Sequence, residues 1–199
     1  VIGFISEVTD QLIPYLKSKF VEVIIAPAFD ETFIQWARQE KPNMRLLLQD
    51  QKISHAPLFY KSISGGVLAQ TKNRSPNPEN YDSLLEPCLQ NSEKKIGVVT
   101  KRQPAKQLSQ LIGFGIAAVN FAKSNAICIA REYQPGCYQL LSVGAGQPNR
   151  IDSLKRLAIP KALENLTHEN RESKNYDPLT DLSQCVLVSD GFFPFDDSV

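Results

Sequence analysis

No run of apolar residues approaches the roughly 18 that a membrane-spanning helix needs, so no helical membrane partner is expected. Charge of one sign is equally scarce: 22 Lys and Arg stand against 21 Asp and Glu, a formal net charge of +1. No chain-wide field therefore favours nucleic acid or an anionic membrane, although a local anion site is compatible with that balance. There are two histidines, His55 and His168, and four cysteines, Cys88, Cys128, Cys137 and Cys185. No two cysteines stand at CxxC spacing, so no metal is expected. Dispersed cysteines of this kind fit reduced, mostly buried thiols in a cytoplasmic protein. GxSxG, HExxH and P-loop signatures are absent too, which leaves nucleophilic and metal chemistry without a carrier. The opening residues, Val1 to Gln11, have no initiating Met, no basic n-region and no small-residue cleavage site. They are expected to be an internal stretch of a longer chain rather than a secretory signal.

What is present is an ordinary globular composition, 42% apolar over 199 residues, long enough to bury a core without staples. Val21 to Ala26 is β-branched and apolar, a strand expected to be buried on both faces and ended by Pro27. Within Thr9 to Lys19, Leu12, Ile13 and Leu16 recur at helical spacing, with Pro14 near the start. Asp30 is a candidate N-cap for a helix to Arg38 whose Phe33, Ile34 and Ala37 share a face. Arg45 to Leu48 is a second short strand, and this alternation argues for an α/β layered fold. Residues 50–62 fit no single element. Ser64-Gly65-Gly66 begins a turn into a strand, Val67 to Gln70. A polar loop with at most one helical turn is expected over 71–95, then a strand over 96–100.

Leu108, Leu111, Ile112, Ile116, Val119 and Ala122 give 104–123 the strongest helical period. Gly113 and Gly115 cost it about 1 kcal/mol each relative to Ala, unless they admit close packing. Asn125 to Arg131 and Tyr138 to Val143 form an expected hairpin, followed by a Gly144–Gln147 turn. A helix capped by Asp152 or Ser153 then runs to about Asn165, an exposed loop covers 167–182, and Val186 to Val188 is a final buried strand.

Three segments carry candidate chemistry. Lys123-Ser124-Asn125-Ala126 lies at a helix-to-strand junction, where open α/β proteins bind ligands. Asn125 offers a carboxamide both a donor and an acceptor, or it is a turn residue satisfying local backbone. Gly144-Ala145-Gly146-Gln147 leads through Arg150 into a helix. Its glycines allow close backbone approach and its Arg can grip an anion, or it is a plain glycine turn with a solvent-facing Arg. Ser189 to Asp197 sets Phe192, Phe193 and Phe195 around Pro194 beside acids. This is either a clamp for a flat heterocycle or a plug that closes the core.

Taken in order, seven stretches resemble the AICAR transformylase family, whose substrate AICAR is aminoimidazole carboxamide ribonucleotide. They are Phe20 to Pro27, Gly65 to Gln70, Val98 to Pro104, Lys123 to Ile127, Val143 to Gln147 through Arg150-Ile151, Arg156 to Ala158, and Ser189 to Phe195. The resemblance is colinear over nearly the whole chain. It implies a cytidine-deaminase-like α/β fold, a layered mixed sheet with helices packed on it, without the deaminase zinc. Residues of about 1–70 would be the end of a first α/β subdomain and 96–199 a second. It implies a formyltransferase that moves a formyl group from 10-formyltetrahydrofolate, a co-substrate, to the amine of AICAR in de novo purine (IMP) biosynthesis. It also implies a cytoplasmic homodimer with sites near the subunit interface.

Carried over by position, Glu22 meets the nucleotide's polar groups and Asn125 its carboxamide region. Gly144, Gly146, Gln147 and Arg150 bind the nucleotide. Phe192 and Pro194 pack around the heterocycle or folate, and Ile151, Phe192 and Asp197 face the folate. The family's Lys-His pair, in a Lys-His-x-x-Pro setting, is not among these residues and would fall upstream of Val1. A C-terminal part of the site would follow Val199, and the companion cyclohydrolase domain is also outside the sequence. Asp196 stands where the family has Arg, and residues 131–139 and 167–182 resemble insertions. The chain then supplies mainly substrate-binding residues of a longer enzyme, or it is a catalytically degenerate nucleotide-binding or scaffold relative. A deaminase would need a Cys/His zinc set.

Overall fold

The computed structural model describes residues 1–49, 58–71, 78–88, 97–173 and 175–193. His55, Pro194, Phe195, Asp196 and Asp197, and the expectations attached to them, lie outside these. The chain divides into two compact units, Val1–Lys72 and Asn73–Val199.

In the first unit three short strands form a parallel sheet in the order β1 (Ile2–Gly3), β2 (Val23–Ala26), β3 (Arg45–Leu48). Parallel neighbours need crossovers. A 3-10 turn, Asp10–Leu12, running into α1 (Ile13–Leu16) supplies one, and α2 (Glu31–Glu40) supplies the other. Ile24 and Ala26 are fully buried with Val8, Leu16 and Phe33. Val23 and Ile25 on the other face of β2 are only half-buried. The strand is thus sealed on one face where both were expected, because the buried helical side chains Leu16 and Phe33 all join the Ile24 side.

Asp30 caps α2 as its position predicts: Oδ1 accepts from the Phe33 amide at 2.6 Å. Its Oδ2 accepts from the Asp10 amide at 2.8 Å, so one carboxylate fixes the starts of two helical segments. The ambiguous 50–62 stretch contributes β4 (Leu58–Ile63), paired antiparallel with β5 (Gly66–Thr71). Gly65, at φ +79°, takes the left-handed turn position that a tight hairpin needs.

The second unit is built on an antiparallel sheet ordered β7 (Cys137–Gly144), β6 (Ile127–Gln134), β8 (Val186–Ser189). Residues 127–130 of central β6 are buried on both faces, and the side chains there alternate between two clusters. Ile127 and Ile129 pack with Leu154, Ala158, Ala162 and Leu166. Ala126 and Cys128 pack with Val119 of α3 (Ser109–Asn120). The sheet therefore carries helices on both faces. Both glycines of α3 are close-packing positions. A Cβ on Gly113 would stand 2.3 Å from the Tyr81 ring, and one on Gly115 2.6 Å from Val188 Cγ2. Tyr81 belongs to a 3-10 helix, Pro78–Leu85, within the stretch expected as a loop.

Several expectations are corrected in this unit. Of the strand expected over 96–100, the described residues 97–100 form a single parallel bridge, Pro87 to Val98, with Val98 exchanging backbone hydrogen bonds with Glu86 and Cys88. The helix after the glycine turn is capped by Asn149, not by Asp152 or Ser153. It runs through α4 (Arg150–Asp152), a π-helical stretch Ser153–Ala158, and α5 (Ile159–Glu169). The 167–182 loop contains α6 (Pro178–Leu182), held by Tyr176 and Leu182 packing on the core. Strand β8 is an edge strand with Leu187 46% exposed, not a buried one. All four cysteines are free thiols, but only Cys128 is fully buried, and Cys137 is exposed beside the hairpin turn.

Arg131 on β6 ties the helices to the sheet. Its Nε donates to Gln139 Oε1 at 2.8 Å, and its Nη2 pairs with Glu169. The Tyr176 hydroxyl donates to Asp181 Oδ2 at 2.7 Å. Burial, reinforced by that hydrogen bond to a carboxylate, pushes the Tyr176 phenol up to about 12.

Replacing Asp30 by Ala should cost about 1–2 kcal/mol, measured by urea unfolding, because a cap and a second amide partner are lost together. Wild-type stability would show the cap to be redundant. Folding raises the Tyr176 pKa, so its contribution is present below the ordinary phenol value and lost as pH rises through about 12. Ultraviolet titration should show a tyrosine that ionises only at about 12 and disappears in Tyr176→Phe. Superimposable profiles for the two proteins would contradict the environment described.

Candidate functional site

Register alone brings the three candidate segments together. Ile127, the first residue of β6, pairs with Gly144 at the end of β7 and with Ser189 at the end of β8. Antiparallel pairing thus sets the chain entering β6 beside the chains leaving both neighbours. Asn125, the Gly144–Arg150 turn and the Ser189–Phe193 segment share one end of the sheet.

The turn is shaped by its glycines. A Cβ on Gly144 would stand 1.9 Å from the Ser153 carbonyl oxygen, so the helix backbone lies directly against β7. Gly146 adopts φ +69°, open to Gly at little cost, and its amide donates to the Lys123 carbonyl at 3.1 Å. Asn149 Oδ1 accepts from the Asp152 amide at 2.8 Å, which starts the helix at Arg150.

Asn125 is half-buried and gripped from two sides. Its Nδ2 donates to the Gln147 carbonyl at 2.9 Å and to the Pro148 carbonyl at 3.0 Å. Its own carbonyl accepts from Ser153 Oγ at 2.5 Å. The expectation that Asn125 offers a ligand both donor and acceptor is corrected here. Both amide protons are directed at the turn, and Oδ1 is the acceptor it keeps for other work.

Arg150 does not face solvent alone. Its Nε donates to Asp190 Oδ1 at 2.8 Å, with the two side chains only 20% and 18% exposed. The same Oδ1 accepts from the Ala126 amide at 3.1 Å, and the Asp190 amide donates to the Ala126 carbonyl at 3.1 Å. Burial opposes the Asp190 charge. Hydrogen bonds from the Ser124 side chain, the Ala126 amide and the Arg150 guanidinium outweigh it and hold the carboxyl below the usual carboxylate range. Asp190 therefore stays ionised through neutral pH. Asp190 and Ser153 were not singled out as site residues from the sequence. Only the polar Ser189-Asp190-Gly191 triplet at a strand end hinted at the first.

The phenylalanine segment divides between its two readings. Phe193 packs on the buried cluster around Ile127, whereas Phe192 is 79% exposed. Ile151 is half-buried at the start of the helix. Glu22 belongs to the first unit. It is exposed and lines a cleft of about 630 Å³ with Lys17, Lys19, Lys41 and Arg45. A second cleft there, of about 500 Å³, runs along α2 and β3 and is apolar apart from Arg38 and Lys41. His168 is exposed in the last turn of α5, in keeping with a surface residue.

Residues 1–161 match the family model described as the AICARFT/IMPCHase bienzyme. This chain belongs to that bienzyme family. It is similar to the bifunctional purine biosynthesis protein PurH of Staphylococcus carnosus, 33% identical over 192 residues, 96% of this chain and 32% of that protein. PurH of Lactobacillus acidophilus is 36% identical over 182 residues, 90% of this chain and 28% of that protein. PurH of Streptococcus pyogenes is 30% identical over 184 residues, with the same shares covered. The chain thus spans about a third of the length of the curated relatives it matches. Within the bienzyme family resemblance, the matched stretch holds the β6–β7 hairpin, Asn125 and the glycine turn with Arg150.

Gly144→Ala should lower stability by about 3 kcal/mol, since a methyl group has no room against the Ser153 backbone. Thermal melting of the variant checks this. An unchanged midpoint would mean that the turn relaxes freely.

Proposed function

We propose that this chain forms a substrate-binding part of the formyltransferase half of a bifunctional purine-biosynthesis enzyme. The reaction is formyl transfer from 10-formyltetrahydrofolate to the amine of AICAR. The observation that carries the reading is the convergence of Asn125, Arg150 and Phe192 at one sheet end in a member of the AICARFT/IMPCHase family. In this reading Asn125 Oδ1 accepts from an amine or carboxamide N–H of the nucleotide. Arg150 presents an anion-binding guanidinium, and the turn Gly144, Gly146 and Gln147 lets backbone come close. Glu22 meets the nucleotide's polar groups. Phe192 stacks on a flat ring, Ile151 and Phe192 face the folate, and Pro194 and Asp197, outside the described residues, complete that side.

The chemistry is a positioning problem. A weakly basic amine must be held roughly 3–3.5 Å from the formyl carbon, a base must take its proton, and donors must steady the oxyanion. These residues supply the holding groups, and the family resemblance assigns proton transfer to a Lys-His pair beyond them. The same resemblance supports a cytidine-deaminase-like fold in two subdomains, a cytoplasmic setting and a homodimer. A second reading, a catalytically degenerate nucleotide-binding or scaffold relative, rests on Asp196 in place of Arg.

Calorimetric titration with AICAR tests binding, and transfer of isotopically labelled formyl by the full-length protein separates enzyme from degenerate relative. Arg150→Ala should weaken AICAR binding by about 1.5–3 kcal/mol, as for a hydrogen bond to a charged group. Equal affinity would reduce Arg150 to a structural partner of Asp190.

A further inference from the structure

We infer that Asp190 is a positioning residue for the nucleotide site, acting through Arg150 and the Asn125 junction rather than by touching substrate. This rests on the function proposed above and adds a residue to which no role had been assigned. Asp190 Oδ1 is the common acceptor for Arg150 Nε and the Ala126 amide. One oxygen therefore registers the guanidinium against the backbone that immediately follows Asn125. The Asp190 amide returns a hydrogen bond to the Ala126 carbonyl, so strand β8 clamps the junction from both directions. Ser124 adds a third hydrogen bond to the carboxylate.

The geometry of the pair is selective. A guanidinium has five N–H donors, and Nε–H is the one directed at Asp190. Held by that edge, the group keeps Nη donors for a second, anionic partner, and its plane is fixed before any ligand arrives. Gly191 contributes by lacking a side chain: an added Cβ would lie 2.5 Å from Arg150 Nη2 and 2.8 Å from Cζ. The guanidinium is thus laid flat on the backbone just after Asp190. An arginine oriented in advance loses less freedom on binding than one that swings in solvent. The carboxylate also offsets part of the positive charge an anion would meet, so its net effect on affinity depends on orientation outweighing neutralisation. Both side chains are about four-fifths buried, so the orientation is fixed by packing and hydrogen bonds together.

The test is a double-variant cycle in the full-length protein with AICAR as the probe, read by calorimetry. Asp190→Ala should weaken AICAR about ten-fold, comparable with losing part of a charged hydrogen bond. In an Arg150→Ala background the same change should have little further effect, because the two residues act as one unit. Asp190→Asn keeps an acceptor oxygen and nearly the same shape. It should retain the fold if Asp190→Ala does not, and bind AICAR between wild type and Asp190→Ala. A second readout does not depend on the nucleotide. The Arg150 Nε–H resonance should be resolved and slow to exchange in the wild type, should merge with the exposed arginines in Asp190→Ala, and should fall between the two in Asp190→Asn. Additive losses in the double variant, or wild-type affinity in Asp190→Ala, would overturn the inference. If the wild-type full-length protein takes up no AICAR, the proposed function falls, and the Nε–H signal alone decides whether Asp190 orients Arg150.

Discussion

The closest constraint in the second unit is steric: the Ser153 backbone passes against Gly144 at a distance only glycine permits. Because the helix lies so near β7, the connecting turn must double back tightly. Gly146 supplies the left-handed step and Asn149 the cap. The same approach carries Ser153 Oγ within reach of the Asn125 carbonyl. The placement of Asn125 and Arg150 therefore follows from a packing contact that neither residue makes. The π-helical stretch Ser153–Ala158 begins at that contact. Its buried face, Leu154 and Ala158, joins the Ile127 cluster, and the Ser142 hydroxyl donates to the Ala158 carbonyl at 2.7 Å.

The Arg150–Asp190 pair sits within this frame for placement more than for stability. Removing two charges from water is costly, and an ion pair this sheltered returns little net stability against an apolar alternative. Here the carboxylate is satisfied several times over, by Ser124, by the Ala126 amide and by Arg150. Such a network specifies one geometry, since any other arrangement leaves a sheltered charge short of partners at high cost. Three chain segments, entering β6, leaving β8 and starting α4, are registered against one oxygen atom.

Elements governed by local chemistry were legible in the sequence. Strand β3 falls where its apolar run stands, Asp30 caps as a short acid before a helical period should, and the Gly136 hairpin joins β6 to β7. The misreadings share a non-local cause. Asn149 won the cap over Asp152 because Gly144 pulls the helix start toward β7. Burial of β8 was overestimated because apolar content cannot distinguish a central strand from an edge. Helix α6 emerges from a polar stretch because Tyr176 and Leu182 find a surface built by distant residues. The candidate site was legible as three segments but not as a hydrogen-bond network. Asp190 reads as a loop acid until β6–β8 register carries it to Ala126.

The same network limits what these residues can do chemically. A general base works best when its pKa lies near the working pH. Asp190 is held below the ordinary carboxylate range, so it is a weak proton acceptor at neutral pH. Asn125 has no titrating proton, and the Arg150 guanidinium offers donors but no acceptor. An arrangement built from a fixed amide, a fixed guanidinium and a carboxylate that stays ionised is suited to holding a polar, anionic molecule in one pose. It is poorly suited to moving a proton. The electrostatics of this sheet end thus fit the proposed division of labour, binding in these residues and proton transfer elsewhere.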